Sequence, residues 1–139
     1  MISFNYETDF RLDNETSYET WIATICTSEK FLVGDLNFIF CGDDYLLNIN
    51  QTYLQHDTYT DIITFDYSID EHLSGDIFIS TERVLDNSTK FSVPFAEELL
   101  RVIAHGILHL AGFKDKKEAD ILIMRAQENE KIKMFHVEQ

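Results

Sequence analysis

The sequence has few of the residues that break or cross-link a chain. Its 139 residues include one proline, five glycines and two cysteines, with no low-complexity tract or internal repeat. Disordered, collagen-like and multi-domain architectures are therefore not expected. A chain of this length buries roughly two thirds of its unfolded surface on folding, so it can form a core without disulfides. We predict one domain over residues 1–139.

Long apolar runs are also missing. No stretch approaches 18 apolar residues, and the first residues, MISFNYETDFRL, are acidic and polar where a secretory signal would be basic and then apolar. We therefore expect a cytoplasmic protein with no membrane partner and with reduced thiols. Cys26 and Cys41 fit no zinc-binding spacing and are predicted to be small buried side chains.

Basic residues are scarce: 11 Lys and Arg stand against 25 Asp and Glu, a formal net charge of −14. Proteins that bind nucleic acid mainly through its phosphates normally carry an excess of Lys and Arg. Extensive non-specific binding is not expected, and DNA is not an expected partner. A local cluster, Lys114, Lys116 and Lys117, is equally compatible with a solvated helix start and with a surface that faces phosphates.

Hydrophobic periodicity predicts an α+β domain. The first half of the chain is predicted to contain strands and two helices: an edge strand over 3–7, a helix over 14–29, a strand over 36–41, a helix through Leu46 and Tyr53 that Asp43 or Asp44 could cap, and paired strands over 61–67 and 75–80.

The second half is predicted to be helical. From Pro94 to Leu110 almost no polar face remains, which predicts a centrally buried helix that ends near Gly112. An amphipathic helix over about 116–134 is predicted to cover it.

The buried helix carries a predicted metal site. His105 and His109 are four positions apart, so they project from one face with about 6 Å of axial rise between them. Gly112 lets the chain turn back, and Asp115 can then return a carboxylate to the same point. His-x3-His-x5-Asp therefore predicts three ligands with one position left for water. The alternative, two core histidines bonded to backbone carbonyls, does not account for the glycine and the carboxylate that follow.

Gly106 lies between the two histidines. Glycine inside a helix costs roughly 1 kcal/mol relative to alanine, so its presence predicts that something approaches the backbone closely there. Gly106 also occupies the position where the metallopeptidase pattern H-E-x-x-H places its general-base glutamate.

The segment HGILHLAGFKD, from His105 to Asp115, resembles the H-G-x-L-H-L-x-G-Y-D-H signature of the YbeY endoribonucleases, a family of ribosomal RNA maturation factors. Upstream, INQTYLQHDTYTDIITF (49–65) is similar to the family segment L-N-x-x-Y-R-x-K-D-x-P-T-N-V-L-S-F, and Gly75-Asp76-Ile77 matches its G-D-I strand. The resemblance extends over about residues 46–130.

The resemblance implies a zincin-like α+β fold, in which a small mixed sheet packs with helices around one central helix that carries the metal ligands. It also implies a zinc ion and a single-strand-specific endoribonuclease that matures small-subunit ribosomal RNA and acts in ribosome quality control. The implied partners are single-stranded or ribosomal RNA and the small ribosomal subunit or its associated proteins.

Two departures from the family pattern bear on function. Asp115 stands where the family has its third histidine, and this harder oxygen donor widens the choice of metal to other divalent transition ions. Leu54 stands where the family has an arginine, and His56 stands where it has the lysine that follows, so a cation is missing from the expected phosphate site. Either Lys114, Arg83, Arg101 or a neighbouring lysine substitutes for it, or activity toward RNA is weakened.

The expected reaction is hydrolysis by water activated on zinc, which His105, His109 and Asp115 hold. Asp61, Asp66 or Asp76 is expected to orient the nucleophile or to steady a ligand histidine, and the sequence does not choose among the three. Lys114, Lys116 and Arg101 are expected to bind substrate.

Two other functions compete with this one. A zinc metallopeptidase can carry a similar histidine motif, although Gly106 argues against it. A non-catalytic ribosome assembly factor with a structural metal would be consistent with the loss of the arginine at Leu54. An iron oxygenase with two histidines and one carboxylate is disfavoured, because its usual H-x-D arrangement is absent.

Overall fold

The computed structural model describes residues 1–138, which form four strands and five helices. The α+β class predicted from the sequence is confirmed. Among the described residues, no helix is long and apolar enough to cross a membrane. In chain order the elements are β1 (Ile2–Tyr6), α1 (Glu15–Ser28), β2 (Leu32–Cys41), α2 (Asp43–Leu54), β3 (Ile62–Asp66), β4 (His72–Ser80), α3 (Thr81–Lys90), α4 (Phe95–Leu110) and α5 (Glu118–Glu138).

The four strands form one mixed sheet in the order β1-β2-β4-β3. Strands β1, β2 and β4 are parallel, and β3 runs antiparallel to β4. The predicted pairing of the segments 61–67 and 75–80 is confirmed, as is the predicted edge strand near the N-terminus. Strand β3 forms the opposite edge, and it packs against α4.

The main core lies between one sheet face and helix α4. Both α1 and α5 contribute to it, and α4 is buried along most of its length, as its apolar pattern predicts. A Cβ atom at Gly106 would lie 2.8 Å from Ile62 Cδ1 and 3.2 Å from Ile77 Cγ2. The predicted close approach at Gly106 is confirmed, because here the helix presses against β3 and β4.

The opposite sheet face is covered by α2, where Cys41, Leu46 and Ile63 form a smaller core. Cys26 belongs to the main core, and both cysteines are buried and unpaired, as expected. Burial raises the pKa of the Cys26 thiol to about 11 and that of the Cys41 thiol to about 12.

Two features differ from the sequence-based expectations. The prediction that Asp43 or Asp44 caps α2 is wrong: Gly42 is the N-cap residue, and both aspartates lie in the first turn. There the Asp43 carboxylate accepts hydrogen bonds from Ser80 Oγ and Arg83 Nη2 instead. Helix α3 was not predicted, since its ten residues are largely polar and include only two apolar side chains, Val84 and Leu85.

Candidate metal centre

Three potential ligands meet where α4 ends. The rings of His105 and His109 lie one turn apart on α4, with their centroids separated by 4.5 Å. The helix ends at Leu110, and Gly112, whose φ is +106°, then reverses the chain. Asp115 returns to the histidines, so that its Oδ2 lies 3.2 Å from His105 Nε2 and 3.3 Å from His109 Nε2. One donor atom from each residue lies within 4.8 Å of the other two.

The other nitrogen of each imidazole is already bonded. His109 Nδ1 lies 3.0 Å from the carbonyl oxygen of Phe113, and His105 Nδ1 lies 2.6 Å from Glu128 Oε2. A carbonyl or an ionised carboxylate only accepts, so both Nδ1 atoms must donate. Each neutral ring then directs the lone pair of its Nε2 toward Asp115. Two imidazole nitrogens and one carboxylate oxygen form a donor set that fits a divalent transition metal.

His105 and Glu128 influence each other's ionisation. Burial disfavours the charged form of His105, but the hydrogen bond and charge of Glu128, together with Asp115 and Asp61, outweigh it and raise the pKa of His105. Burial likewise disfavours ionised Glu128, but hydrogen bonds from His105 and Arg101 outweigh it and lower the pKa of Glu128.

Of the three candidate aspartates, the structure brings Asp61 to the histidines. Asp61 immediately precedes β3, and it lines a cavity of about 310 Å³ together with His105, His109 and Asp115. Its side chain is half-buried, and burial raises the pKa of its carboxyl, although the nearby charges of His105 and Arg83 oppose this shift.

Asp66 and Asp76 lie elsewhere. Asp66 is exposed at the end of β3, where its Oδ1 accepts a hydrogen bond of 2.8 Å from the Ser68 amide. Asp76 precedes Ile77, which faces α4, so the alternation of a strand directs Asp76 to the opposite face of the sheet. There it accepts a hydrogen bond of 3.0 Å from Asn37 Nδ2.

The basic residues predicted to bind substrate have different surroundings. Lys114 and Lys116 are exposed on the loop between α4 and α5, directly on either side of Asp115. Arg101 lines a second cavity, of about 410 Å³, that also contains Asp61, His105 and Asp115. Two of its guanidinium nitrogens are engaged, since Nη1 donates to Glu128 Oε1 at 3.0 Å and Nη2 to Asn129 Oδ1 at 2.9 Å.

Two residues of α5 beside the site were not predicted. Glu128 contacts His105, and the half-exposed Arg125 lines the larger cavity with it. The sequence did hold a signal for Glu128: it lies four residues from both Met124 and Ile132, which are buried. A glutamate on the apolar stripe of a helix needs a buried partner.

Three candidate ligands would leave a fourth position for water or substrate, an arrangement typical of catalytic metal sites and not of closed structural ones. Comparisons with known proteins identify the family. A sequence profile for the family described as Endoribonuclease YbeY matches residues 3–136. The chain therefore belongs to the YbeY endoribonuclease family.

Individual relatives match over the full length. The protein named Endoribonuclease YbeY from Flavobacterium psychrophilum is 57% identical to this chain, over 100% of this chain and 99% of the relative. The protein of the same name from Flavobacterium johnsoniae is 58% identical to this chain, over 100% of both. The solution structure of protein TM1509 from Thermotoga maritima is similar with a TM-score of 0.66 and 28% identity, over 99% of this chain and 91% of that one.

Proposed function

We propose that this protein is a metal-dependent, single-strand-specific endoribonuclease that acts in the cytoplasm in ribosomal RNA maturation and ribosome quality control. The observation that carries the proposal is the convergence of His105, His109 and Asp115 in a chain whose relatives are named endoribonucleases. Zinc is the proposed ion, because two imidazoles and a carboxylate leaving one open position suit its coordination.

His105, His109 and Asp115 would hold the ion. When bound there, it acts as a Lewis acid that acidifies water and withdraws charge from a phosphoryl oxygen. Asp61 would accept the proton of the attacking water, since its carboxylate lines the same cavity. The burial that raises the pKa of Asp61 makes this carboxylate a stronger base than an exposed one.

The larger cavity supplies a place for single-stranded RNA beside the ligands. Its rim includes Phe91, whose ring is 57% exposed, and the half-exposed Arg125. An exposed aromatic ring stacks with an unpaired base, and an arginine binds a phosphate. Arg125 would thus supply the cation that is missing at Leu54, while Lys114 and Lys116 extend the positive surface past Asp115.

The charge of the chain supports a proposed ribosomal partner. With a net charge of −14, the protein repels free RNA at long range. We propose that the small ribosomal subunit or an associated protein orients the substrate, and that DNA is not a partner. Cleavage by the isolated chain is then expected to be weak. Because added salt weakens the phosphate contacts of Arg125, Lys114 and Lys116, we expect cleavage to remain weak at high salt.

The metallopeptidase alternative loses support from the structure. Its general base would be a glutamate in place of Gly106, but even a Cβ atom there would lie 2.8 Å from Ile62 Cδ1. The site offers no space for that side chain. The non-catalytic assembly factor is separated from the proposed enzyme by the following experiment.

The test is cleavage of a single-stranded ribosomal RNA fragment by zinc-loaded wild-type protein and by a folded His109→Ala variant purified identically. We expect cleavage by the wild type only, no cleavage of single-stranded DNA of the same sequence, and loss of activity on chelation. If zinc-loaded wild type cuts neither the fragment nor the same RNA within small ribosomal subunits, the enzymatic proposal is contradicted and the assembly factor is favoured.

A further inference from the structure

The contact between His105 and Glu128 extends the site beyond its three ligands. Glu128 Oε2 lies 2.6 Å from His105 Nδ1, and its other oxygen, Oε1, accepts from Arg101 Nη1 at 3.0 Å. Arg101, His105 and His109 follow one another at intervals of four residues, so they form a stripe on one side of α4. Glu128 reaches this stripe from α5.

Glu128 cannot be a fourth ligand. It bonds the Nδ1 side of the His105 ring, whereas the ring's Nε2 faces Asp115 and the proposed ion. The group of side chains that can share one ion contains His105, His109 and Asp115 without Glu128. Glu128 therefore acts on the ion through its hydrogen bond to the imidazole of His105 and through its charge, and not as a ligand.

The burial of Glu128 shows that it is specifically accommodated. Its side chain is 5% exposed, and an ionised carboxylate so far from water is costly unless it is paired and hydrogen-bonded. Arg101 supplies the compensating charge. One oxygen of Glu128 accepts the hydrogen bond from Arg101, and the other accepts the hydrogen bond from His105.

Packing of α5 fixes Glu128 at this position. One turn further along the helix, buried Lys131 donates from Nζ to Glu29 Oε2 at 2.6 Å, at the end of α1. The carbonyl of Lys131 accepts a hydrogen bond of 2.7 Å from Trp21 Nε1. These bonds set the register of α5 against the core and so hold the Glu128 carboxylate beside Nδ1 of His105.

We propose that Glu128, clamped by Arg101, is a positioning residue that holds His105 in the Nδ1–H tautomer and directs its Nε2 to the metal. The two ligand histidines then differ in their support, because His109 is held by a neutral backbone carbonyl and His105 by a buried carboxylate. A carboxylate partner increases the basicity of the coordinating nitrogen, and loss of such partners typically lowers metal affinity about 10–100-fold. The inference rests on the proposed metal site.

The first test measures zinc affinity by competition with a chromophoric chelator. We expect Glu128→Gln to bind zinc about 10–100-fold more weakly than wild type. Glu130→Gln is the matched control, since it makes the same change at an exposed position of the same helix and is expected to leave the affinity unchanged. A folded Glu128→Gln variant with wild-type zinc affinity would overturn the proposal.

The second test needs no variant. In zinc-free wild-type protein at a pH where its imidazoles are neutral, ring ¹⁵N shifts are expected to show His105 with its proton on Nδ1. A predominant Nε2–H form would overturn the proposal. The test separates positioning from a purely structural role, since a Glu128 that merely stabilises the fold would not set the tautomer. Neither test involves RNA, so a protein that passes both but cuts no RNA contradicts the proposed function alone; wild type that binds no zinc contradicts both.

Discussion

Asp115 changes the charge of the proposed metal site. A histidine at this position would contribute a neutral donor, whereas Asp115 brings a negative charge within 3.3 Å of both ligand nitrogens. Glu128 adds a second negative charge behind His105, and Arg101 balances it. The site therefore has the electrostatics to attract a divalent cation even without a third imidazole.

Replacement of Asp61 tests the proposed proton transfer. Asp61 stands where the family segment has an asparagine, so the proposed base is a feature of this chain and not of the family pattern. Asp61→Asn removes that base but keeps the size of the side chain, and we expect kcat for RNA cleavage to fall about 10²–10⁴-fold. Zinc stoichiometry is expected to remain unchanged, because Asp61 is not among the three ligands.

Asp66→Asn is the matched control for Asp61→Asn. It makes the same change at an exposed position of the same segment, outside the cavities that contain His105, and is expected to cleave like wild type. Equal activity of Asp61→Asn and Asp66→Asn would contradict the role of Asp61.

The ligands could be predicted from sequence because their geometry is local. The spacing of His105 and His109 on one helix, and the glycine that lets Asp115 return, depend on helix geometry alone. The surroundings of the three candidate aspartates could not be predicted in this way. The strand face of Asp76 depends on sheet pairing, and the proximity of Asp61 to His105 depends on how β3 packs against α4.

At the scale of elements, the contact between α4 and the sheet is centred on Gly106. The sequence predicted α4 well, because an almost continuous apolar pattern has few alternatives to burial. It did not predict α3, whose N-cap residue, Ser80, is also the last residue of β4, so that no loop separates the two elements. It also did not predict which turn of α5 meets His105, since that register is set by the distant contacts of Lys131 with Glu29 and Trp21.

The packing at Gly106 predicts a specific coupling with Ile62. Gly106→Ala gains about 1 kcal/mol in helix propensity but forces the new methyl group against Ile62 and Ile77, and overpacking typically costs about 1–3 kcal/mol. We expect a net loss of about 1 kcal/mol in the free energy of unfolding, measured with urea.

The control for this coupling is the same substitution in an Ile62→Val background. Valine lacks the Cδ1 atom that would lie 2.8 Å from the new methyl group, so the cost of Gly106→Ala should be smaller there. An identical cost in both backgrounds would show that this close approach does not determine the need for glycine.

At the scale of the whole molecule, the two cores contain no disulfide and each holds one buried thiol, Cys26 in the main core and Cys41 in the smaller one. The pKa of Cys26 is raised to about 11 and that of Cys41 to about 12, mainly by burial. Above pH 9 the unfolded chain loses these protons while the folded chain retains them. Their contribution to stability is therefore complete below pH 9 and is lost as the pH rises from about 9 toward 11 and 12.

We expect the free energy of unfolding under reducing conditions to fall by roughly 1 kcal/mol per pH unit for each thiol in this range. Urea titrations of wild type between pH 8 and pH 11 measure the slope, and a Cys26→Ala/Cys41→Ala variant should show a shallower one. Equal slopes for the two proteins would contradict the assignment to the thiols.

The most direct test of the metal-dependent mechanism is a series at Asp115, in which zinc content and RNA cleavage are measured on the same preparations. Wild type and Asp115→His, which restores the histidine of the family signature, are expected to bind one zinc ion per chain and to cut single-stranded RNA. Asp115→Ala, folded like wild type, is expected to lose most of its zinc and its cleavage. Full zinc occupancy and wild-type cleavage by Asp115→Ala would contradict the proposed ligand set.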